Sequence, residues 1–275
     1  MKLTIEDKAK LNNGVEIPYL GLGVYKSAPG SETYNAVRWA LEAGYRHIDT
    51  AAFYKNEKDV GRAVKDSGIP REEIFVTTKL WNDDHGYEKT LRGFEVSLKN
   101  LGFDYMDLYL LHWPVSGLRN DSYRALETIL KESKARAIGV SNYTTSHLTE
   151  LLSSCRTVPA VNQVEFSPFL YQKRVLEFCR QNEIQLEAYS PLARASKLSD
   201  ERLREVAGHY GKTAAQMMVR WALEHKIVII PKSTHKERIF ENADVFNFEI
   251  SEGDMEILDS LDENYRVAWD PSRIP

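Results

Sequence analysis

An acid and a phenol lie five positions apart in Gly44-Tyr-Arg-His-Ile-Asp-Thr-Ala-Ala-Phe-Tyr54, where a short strand, Tyr45–Ile48, runs into a loop carrying Asp49 and Tyr54. Free carboxyl and phenol groups differ by about six pKa units, so as a lone pair they do little together. A cation between them changes that. Lys79 ends a later strand, Ile74–Lys79, and can stand beside Asp49. An Asp–Lys pair below a phenol leaves a net pull on its proton and should lower its pKa. Tyr54 could then hand a proton to a developing alkoxide as a general acid. His112, closing the strand Met106–His112, could donate a hydrogen bond to the same oxygen. The alternative is a set of polar residues at strand ends with no common task.

Which reading holds depends on the elements that carry these residues. Residues 8–18 form an expected hairpin turned on Asn12-Asn-Gly, and Tyr19–Gly23 a glycine-rich strand. Tyr34, Val37 and Leu41 recur at helical spacing in Ser31–Ala43, with Ser31 as the expected N-cap. Strand and helix then alternate. Arg46–Asp49, Ile74–Lys79, Met106–His112, Ala137–Ser141, Ala160–Val164, Gln185–Ser190 and Ile227–Ile230 read as strands, each followed by an amphipathic stretch. Tyr87, Leu91, Phe94, Leu98 and Leu101 give the clearest helical pattern. Eight such units in about 250 residues predict a closed (β/α)8 TIM barrel with an N-terminal β-hairpin and an additional C-terminal helix, Glu252–Leu261. One domain over residues 1–275 is expected.

Composition narrows the function classes. The chain has 275 residues and a net charge of −4, and gives no support for nucleic acid or an anionic membrane as partner. The N-terminus lacks an apolar core of the signal-peptide kind, and no apolar run approaches the roughly 20 residues of a membrane helix. Cys155 and Cys179 are too few to staple the fold, and no His, Cys, Asp or Glu cluster has metal-ligand spacing. The expectation is a metal-free, cytoplasmic monomer. His47 lies within a strand, while His85, His147, His209 and His225 read as surface or helix residues.

In a barrel of this kind the loops after the strands gather at one face, where the chemistry is placed. Residues just past strand ends should then be reactive or ligand-binding types. Asp49, Lys79, His112, Ser141, Asn142, Gln163, Tyr189, Ser190, Lys232 and Ser233 fit that expectation.

At these positions the sequence resembles the aldo-keto reductase family. Gly44-Tyr-Arg-His-Ile-Asp-Thr-Ala, Tyr54, Thr78-Lys79-Leu-Trp81, His112-Trp-Pro114 and Ile230-Pro-Lys-Ser233 look like its signatures. Ile138-Gly-Val-Ser-Asn142, Val161-Asn-Gln163 and Tyr189-Ser-Pro-Leu192 agree, in family order, from about Leu11 to Asn242. The resemblance implies an NADPH-dependent barrel oxidoreductase with a tetrad of Asp49, Tyr54, Lys79 and His112. Hydride would pass from nicotinamide C4 to a substrate carbonyl carbon, and Tyr54 would protonate the oxygen. Ser141, Asn142 and Gln163 match positions that bond the nicotinamide amide. Tyr189 matches the ring on which nicotinamide stacks, and Ser190 and Leu192 beside it belong to the same cofactor set.

Two glycine patterns mislead. Gly21-Leu-Gly23 opens like a dinucleotide fingerprint, but position 26 is Lys where the third glycine should stand, so a tight barrel strand is expected. Gly211-Lys-Thr213 ends like a phosphate loop, but Val206 replaces its first glycine, and a turn between helices is expected. The phosphates should instead meet Lys232, Ser233 and Thr234 and the short helix carrying Arg238, Glu241 and Asn242. Lys232 and Arg238 suit a 2′-phosphate, hence NADPH over NADH. Within the resemblance, Glu241 and Asn242 match adenine contacts. Tyr25, Trp81 and Trp113 should line the carbonyl-substrate pocket, with Trp269 at its rim. Val115–Asn120 is short beside many relatives and Ala193 stands where glycine is frequent, which predicts a wide pocket. A catalytically weak NADPH-binding sensor on the same fold remains the alternative, and the complete tetrad argues against it.

Overall fold

The computed structural model describes residues 3–275, so the first two residues of the N-terminal segment lie outside the described residues. The chain opens with the expected hairpin. β1 (Lys8–Lys10) pairs antiparallel with β2 (Glu16–Pro18), Ala9 opposite Ile17, and the turn between them carries Gly14 at φ 85°.

Eight parallel strands follow, each hydrogen-bonded to the next: β3 (Leu22–Gly23), β4 (His47–Asp49), β5 (Phe75–Leu80), β6 (Met106–Leu111), β7 (Ala135–Ser141), β8 (Val161–Glu165), β9 (Gln185–Tyr189) and β10 (Val228–Ile230). The sheet closes on itself beside β3. The Gly21 amide donates to Ile229 O at 2.8 Å and the Ile229 amide to Tyr19 O at 2.8 Å. Glycine is needed at this seam. A Cβ on Gly21 would lie 2.6 Å from His47 Nδ1, and one on Gly23 would lie 2.9 Å from Ile230 O. The pattern that resembles a nucleotide turn is thus a close strand contact.

Because helices cover the outside and neighbouring side chains fill the inside, the strands are largely buried on both faces. β5 and β6 are buried at every residue. Lys79 in one and Asp107 in the other are their buried charged residues. Asp107 is answered by Arg71 and Arg136 at 2.7 Å each; Lys79 belongs to the site below.

The helices alternate with the strands as α1 (Ser31–Glu42), α2 (Glu57–Lys65), α3 (Tyr87–Leu101), α4 (Arg119–Lys131), α5 (Thr145–Leu152), α6 (Lys173–Gln181), α7 (Glu201–His209), α8 (Ala214–Glu224), α9 (Lys236–Ala243) and α10 (Glu252–Asp259). Caps set several of their starts: Thr144 and Thr213 form capping boxes with His147 and Gln216, and Ser251 accepts from the Asp254 amide. The start of α1 differs from expectation. Its N-cap is Gly30 at φ 97°, not Ser31, and the Glu32 carboxylate accepts the Ala28 amide at 2.6 Å. A second correction concerns His85, which is buried in a loop rather than on the surface or in a helix. Ser122 of α4 holds its Nδ1 at 3.0 Å and also takes the Gly86 amide. Both cysteines are free. Among the described residues no helix is long and apolar enough to cross a membrane.

Candidate active site

The C-terminal ends of the barrel strands surround one cleft of about 1370 Å³. At its floor β4 ends in Asp49, one strand over from Lys79 in β5. Both carboxylate oxygens of Asp49 accept from Lys79 Nζ at 2.7 Å. The ammonium donates also to Thr50 O at 2.9 Å and reaches Tyr54 Oη at 3.5 Å. Tyr54 ends a single tight helical turn, Ala52–Tyr54, stopped by Lys55 at φ 58°. That turn folds the phenol back over the strand end instead of letting the loop run outward.

His112 follows β6 directly, and its ring meets Tyr54 edge-on, centroids 5.6 Å apart. Burial, and then the charge of Lys79, hold its pKa well below the ordinary imidazole value, so the ring is neutral. For Tyr54 the outcome corrects the sequence expectation. The phenol pKa is raised well above its usual value, by burial first and then by the Asp49 carboxylate. The pull of Lys79 is spent on Asp49, which takes two of its hydrogen bonds, so the pair offers Tyr54 little net positive charge.

Beside the tetrad, side chains from β7, β8 and β9 interlock. Ser141 Oγ donates to Gln163 O at 2.8 Å, and Asn142 Nδ2 to His112 O at 3.0 Å. Asn142 adopts φ 65°, a left-handed conformation that asparagine tolerates better than most residues. Its Oδ1 accepts from Tyr189 Oη at 2.8 Å. Gln163 Nε2 donates to Asp49 Oδ2 at 2.8 Å and Glu187 Oε2 at 3.0 Å.

Every expected site residue except Lys79 lines this cleft. Lys79 lies fully buried beneath it. Tyr25, Trp81 and Trp113 stand around Tyr54 and His112, with Tyr25 5.0 Å from the Tyr54 ring and Trp81 5.3 Å from His112. Ser190 and Leu192 border the cleft just past β9, and Lys232, Ser233, Thr234, Arg238, Glu241 and Asn242 border it from the turn after β10 and from α9. Trp269 packs on Trp113 at 5.7 Å, on a tail that Glu165 holds through the Val267 amide at 2.6 Å and the Ala268 amide at 3.1 Å.

Some lining residues escaped the sequence reading. Phe53 stacks on Trp81 at 3.8 Å, and its position between Asp49 and Tyr54 was the signal available. Arg194 and Arg204 face the cleft from a loop and from α7, with no motif around either. Lys212 and Thr213 do form the turn between α7 and α8, and they border the cleft as well. Among the described residues no group of three or more His, Cys, Asp or Glu is placed to hold a metal ion.

Comparison with known proteins agrees with this architecture. The profile of the aldo/keto reductase family matches residues 20–263. The chain is 49% identical to glyoxal reductase of Bacillus subtilis over 274 residues, covering 100% of this chain and 99% of that protein. It is 51% identical to the 9,11-endoperoxide prostaglandin H2 reductase of Trypanosoma cruzi, covering 95% and 93%. The crystal structure of an aldo-keto reductase from a Medee basin deep-sea metagenome library superposes with a TM-score of 0.93 at 48% identity, covering 98% and 100%. That of a Bombyx mori aldo-keto reductase in complex with NADP gives 0.92 at 33% identity, covering 99% and 98%. With a strand-end site of this geometry and a family match over most of its length, the chain belongs to the aldo/keto reductase family.

Proposed function

We propose that this protein is an NADPH-dependent oxidoreductase that reduces small-molecule aldehydes and ketones to alcohols, with Tyr54 as the proton donor. The observation that carries the reading is the hydrogen-bonded series Asp49, Lys79, Tyr54 at the floor of a cleft whose wall is His112. Asp49 holds the Lys79 ammonium in place, and Lys79 is the cation within reach of the Tyr54 oxygen. A phenol whose pKa is raised stays protonated at neutral pH, so the donor is loaded before substrate arrives. Its proton moves only when a stronger base, the oxygen of a carbonyl under reduction, develops beside it. Lys79 then faces the phenolate that remains. Neutral His112 can orient the substrate oxygen by donating one hydrogen bond, without competing as an acid.

The cleft suits the cofactor. Arg194, Arg204, Lys232 and Arg238 all line it, and none of them makes an ion pair among the described residues. Uncompensated cations along one groove favour a polyanion. Lys232, Ser233, Thr234 and Arg238 would hold the 2′-phosphate, Glu241 and Asn242 the adenine, and Ser190 and Leu192 the stretch between. Ser141, Asn142 and Gln163 would hold the carboxamide, and Tyr189 the face of the ring. When bound, NADPH supplies the hydride. Tyr25, Trp81 and Trp113 would close around the substrate and exclude water.

The relatives named for glyoxal and for a prostaglandin endoperoxide differ greatly in the bulk of what their names specify. The test is therefore NADPH oxidation over a panel running from small to bulky aldehydes, comparing wild type with Tyr54→Phe. Removing the proton donor should lower kcat/KM by about 10²–10⁴-fold while NADPH binding stays unchanged. Tight NADPH binding without turnover of any carbonyl would sink the reductase reading. A strong preference for the smallest aldehyde would count against a wide pocket.

A further inference from the structure

The barrel interior holds a second acid that the proton-donor scheme does not use. Glu187 sits in β9, in register with Gln163 of β8, and is fully buried. Two carboxylates, Asp49 and Glu187, converge on one amide group. Gln163 Nε2 donates one N–H to Asp49 Oδ2 at 2.8 Å and the other to Glu187 Oε2 at 3.0 Å. With both donors taken, the carbonyl oxygen is what Gln163 offers to the cleft it lines. An amide has two faces to choose between, and a carboxylate on each side allows only one.

We propose that Glu187 is a positioning residue for the reductase: with Asp49 it fixes the Gln163 amide so that its carbonyl oxygen faces the cleft as an acceptor for the nicotinamide carboxamide. This rests on the function proposed above. The inference goes beyond the tetrad, because Glu187 does not line the cleft and reaches the carboxamide through Gln163.

The surroundings say in which form Glu187 does this. The charged and titratable groups facing it are His47 and Asp49 from β4, Lys79 from β5 and Tyr54 from the loop above. β8 contributes the neutral Gln163, and β10 places Val228 in register with it. His47 is kept neutral by burial, which lowers its pKa to about 3, so among the described residues Lys79 is the lone cation for two acids. Lys79 gives both its carboxylate bonds to Asp49. Among the described residues Glu187 Oε1 has no hydrogen-bond partner, and His47 Nε2 is 3.5 Å away. An unpaired carboxylate oxygen in a dry core is costly, whereas a neutral carboxyl is tolerated. The proton therefore resides on Glu187, whose pKa is raised by burial and then by the negative charge of Asp49.

The experiment compares wild type with Glu187→Gln, which mimics the neutral acid and still offers a carbonyl to Gln163, and with Glu187→Leu, which offers none. Difference infrared spectra of the ligand-free protein should show a protonated carboxyl at neutral pH in wild type that is absent from E187Q. The NADPH Kd and kcat of E187Q at pH 7 should stay within about threefold of wild type. E187L should bind NADPH about tenfold more weakly, the scale of one buried hydrogen bond lost. Between pH 7 and 9 the wild-type kcat should fall as Glu187 ionises and weakens Tyr54 as an acid, while E187Q holds level. The proposal is overturned if the infrared band is missing, if E187L binds NADPH like wild type, or if E187Q at pH 7 is as impaired as E187L. Should E187L not fold, the infrared band and the flat E187Q profile decide. A wild type that binds NADPH but reduces no carbonyl overturns the reductase reading alone, since the binding and infrared arms still judge Glu187.

Discussion

Lys79 is the residue on which the polar floor of the barrel depends most. Its ammonium is fully buried and makes its two shortest bonds to a single carboxylate. Lys79→Met keeps the length of the side chain and removes the charge, leaving Asp49 ionised and unpaired in the interior. Breaking one side of such a pair costs about 3–5 kcal/mol, so the urea midpoint should drop sharply, and kcat with it. A variant with unchanged stability would mean that Asp49 had found a proton or water instead. At this scale the sequence was informative about which side chains meet and misleading about what the meeting does. Asp49, Lys79 and His112 stand at strand ends, which can be read from periodicity, and Tyr54 stands in the loop that follows the first of them. The direction of the Tyr54 shift could not be read. It depends on how Lys79 divides its hydrogen bonds and on how much water reaches the phenol, both consequences of tertiary packing. His85 escaped for the same reason, since its partner Ser122 is 37 positions away.

Two elements carry testable constraints. α2 and α3 cross at Gly61, where an added Cβ would lie 1.9 Å from Leu101 O. The obstacle is backbone and cannot swing aside. Gly61→Ala should therefore cost at least the 1–3 kcal/mol typical of overpacking, despite alanine being the better helix former. Thermal unfolding checks this; a rise in Tm would show that the helices can part. The second element is the turn from β10 into α9. If Lys232 and Arg238 hold a 2′-phosphate, replacing either with Ala removes a charge-assisted bond. The KM for NADPH should rise about tenfold or more while that for NADH stays put. Equal changes for both cofactors would refute the assignment. β10 was legible because Val228–Ile230 is an unbroken apolar run, and α9 followed from the alternation of strand and helix. Arg194 and Arg204 were not, because nothing in the local pattern of a loop or of α7 tells which side turns toward a cleft made by other strands.

For the molecule as a whole, buried neutral histidines set its tolerance of acid. Burial lowers the pKa of His47 to about 3 and of His85 to about 4, and that of His112 falls well below its usual value. The unfolded chain takes up protons at these sites below about pH 6.5, while the folded chain does not. The stability they contribute is thus fully present above pH 6.5 and is lost as pH falls through 6.5 towards the folded values. The loss is about 1.4 kcal/mol per pH unit for each proton. Urea midpoints at pH 7, 5.5 and 4.5 should fall accordingly, and His85→Asn should flatten the slope. A slope unchanged in that variant would assign the acid sensitivity to other groups.

The barrel is joined by its first and last strands, and that join has a kinetic side. β3 is two residues long, and the bonds that close the ring link Tyr19 and Gly21 to Ile229, some two hundred positions away. Closing so long a loop comes late in folding and makes this a natural place for the native ring to open transiently. The cleft is lined on one side of the join by Gly23 and Tyr25 and on the other by Ile230 and Lys232. A dinucleotide lying there spans both sides and acts as a clasp. Saturating NADPH should then slow hydrogen exchange at the Gly21 and Ile229 amides more than at those of β6, in the middle of the sheet.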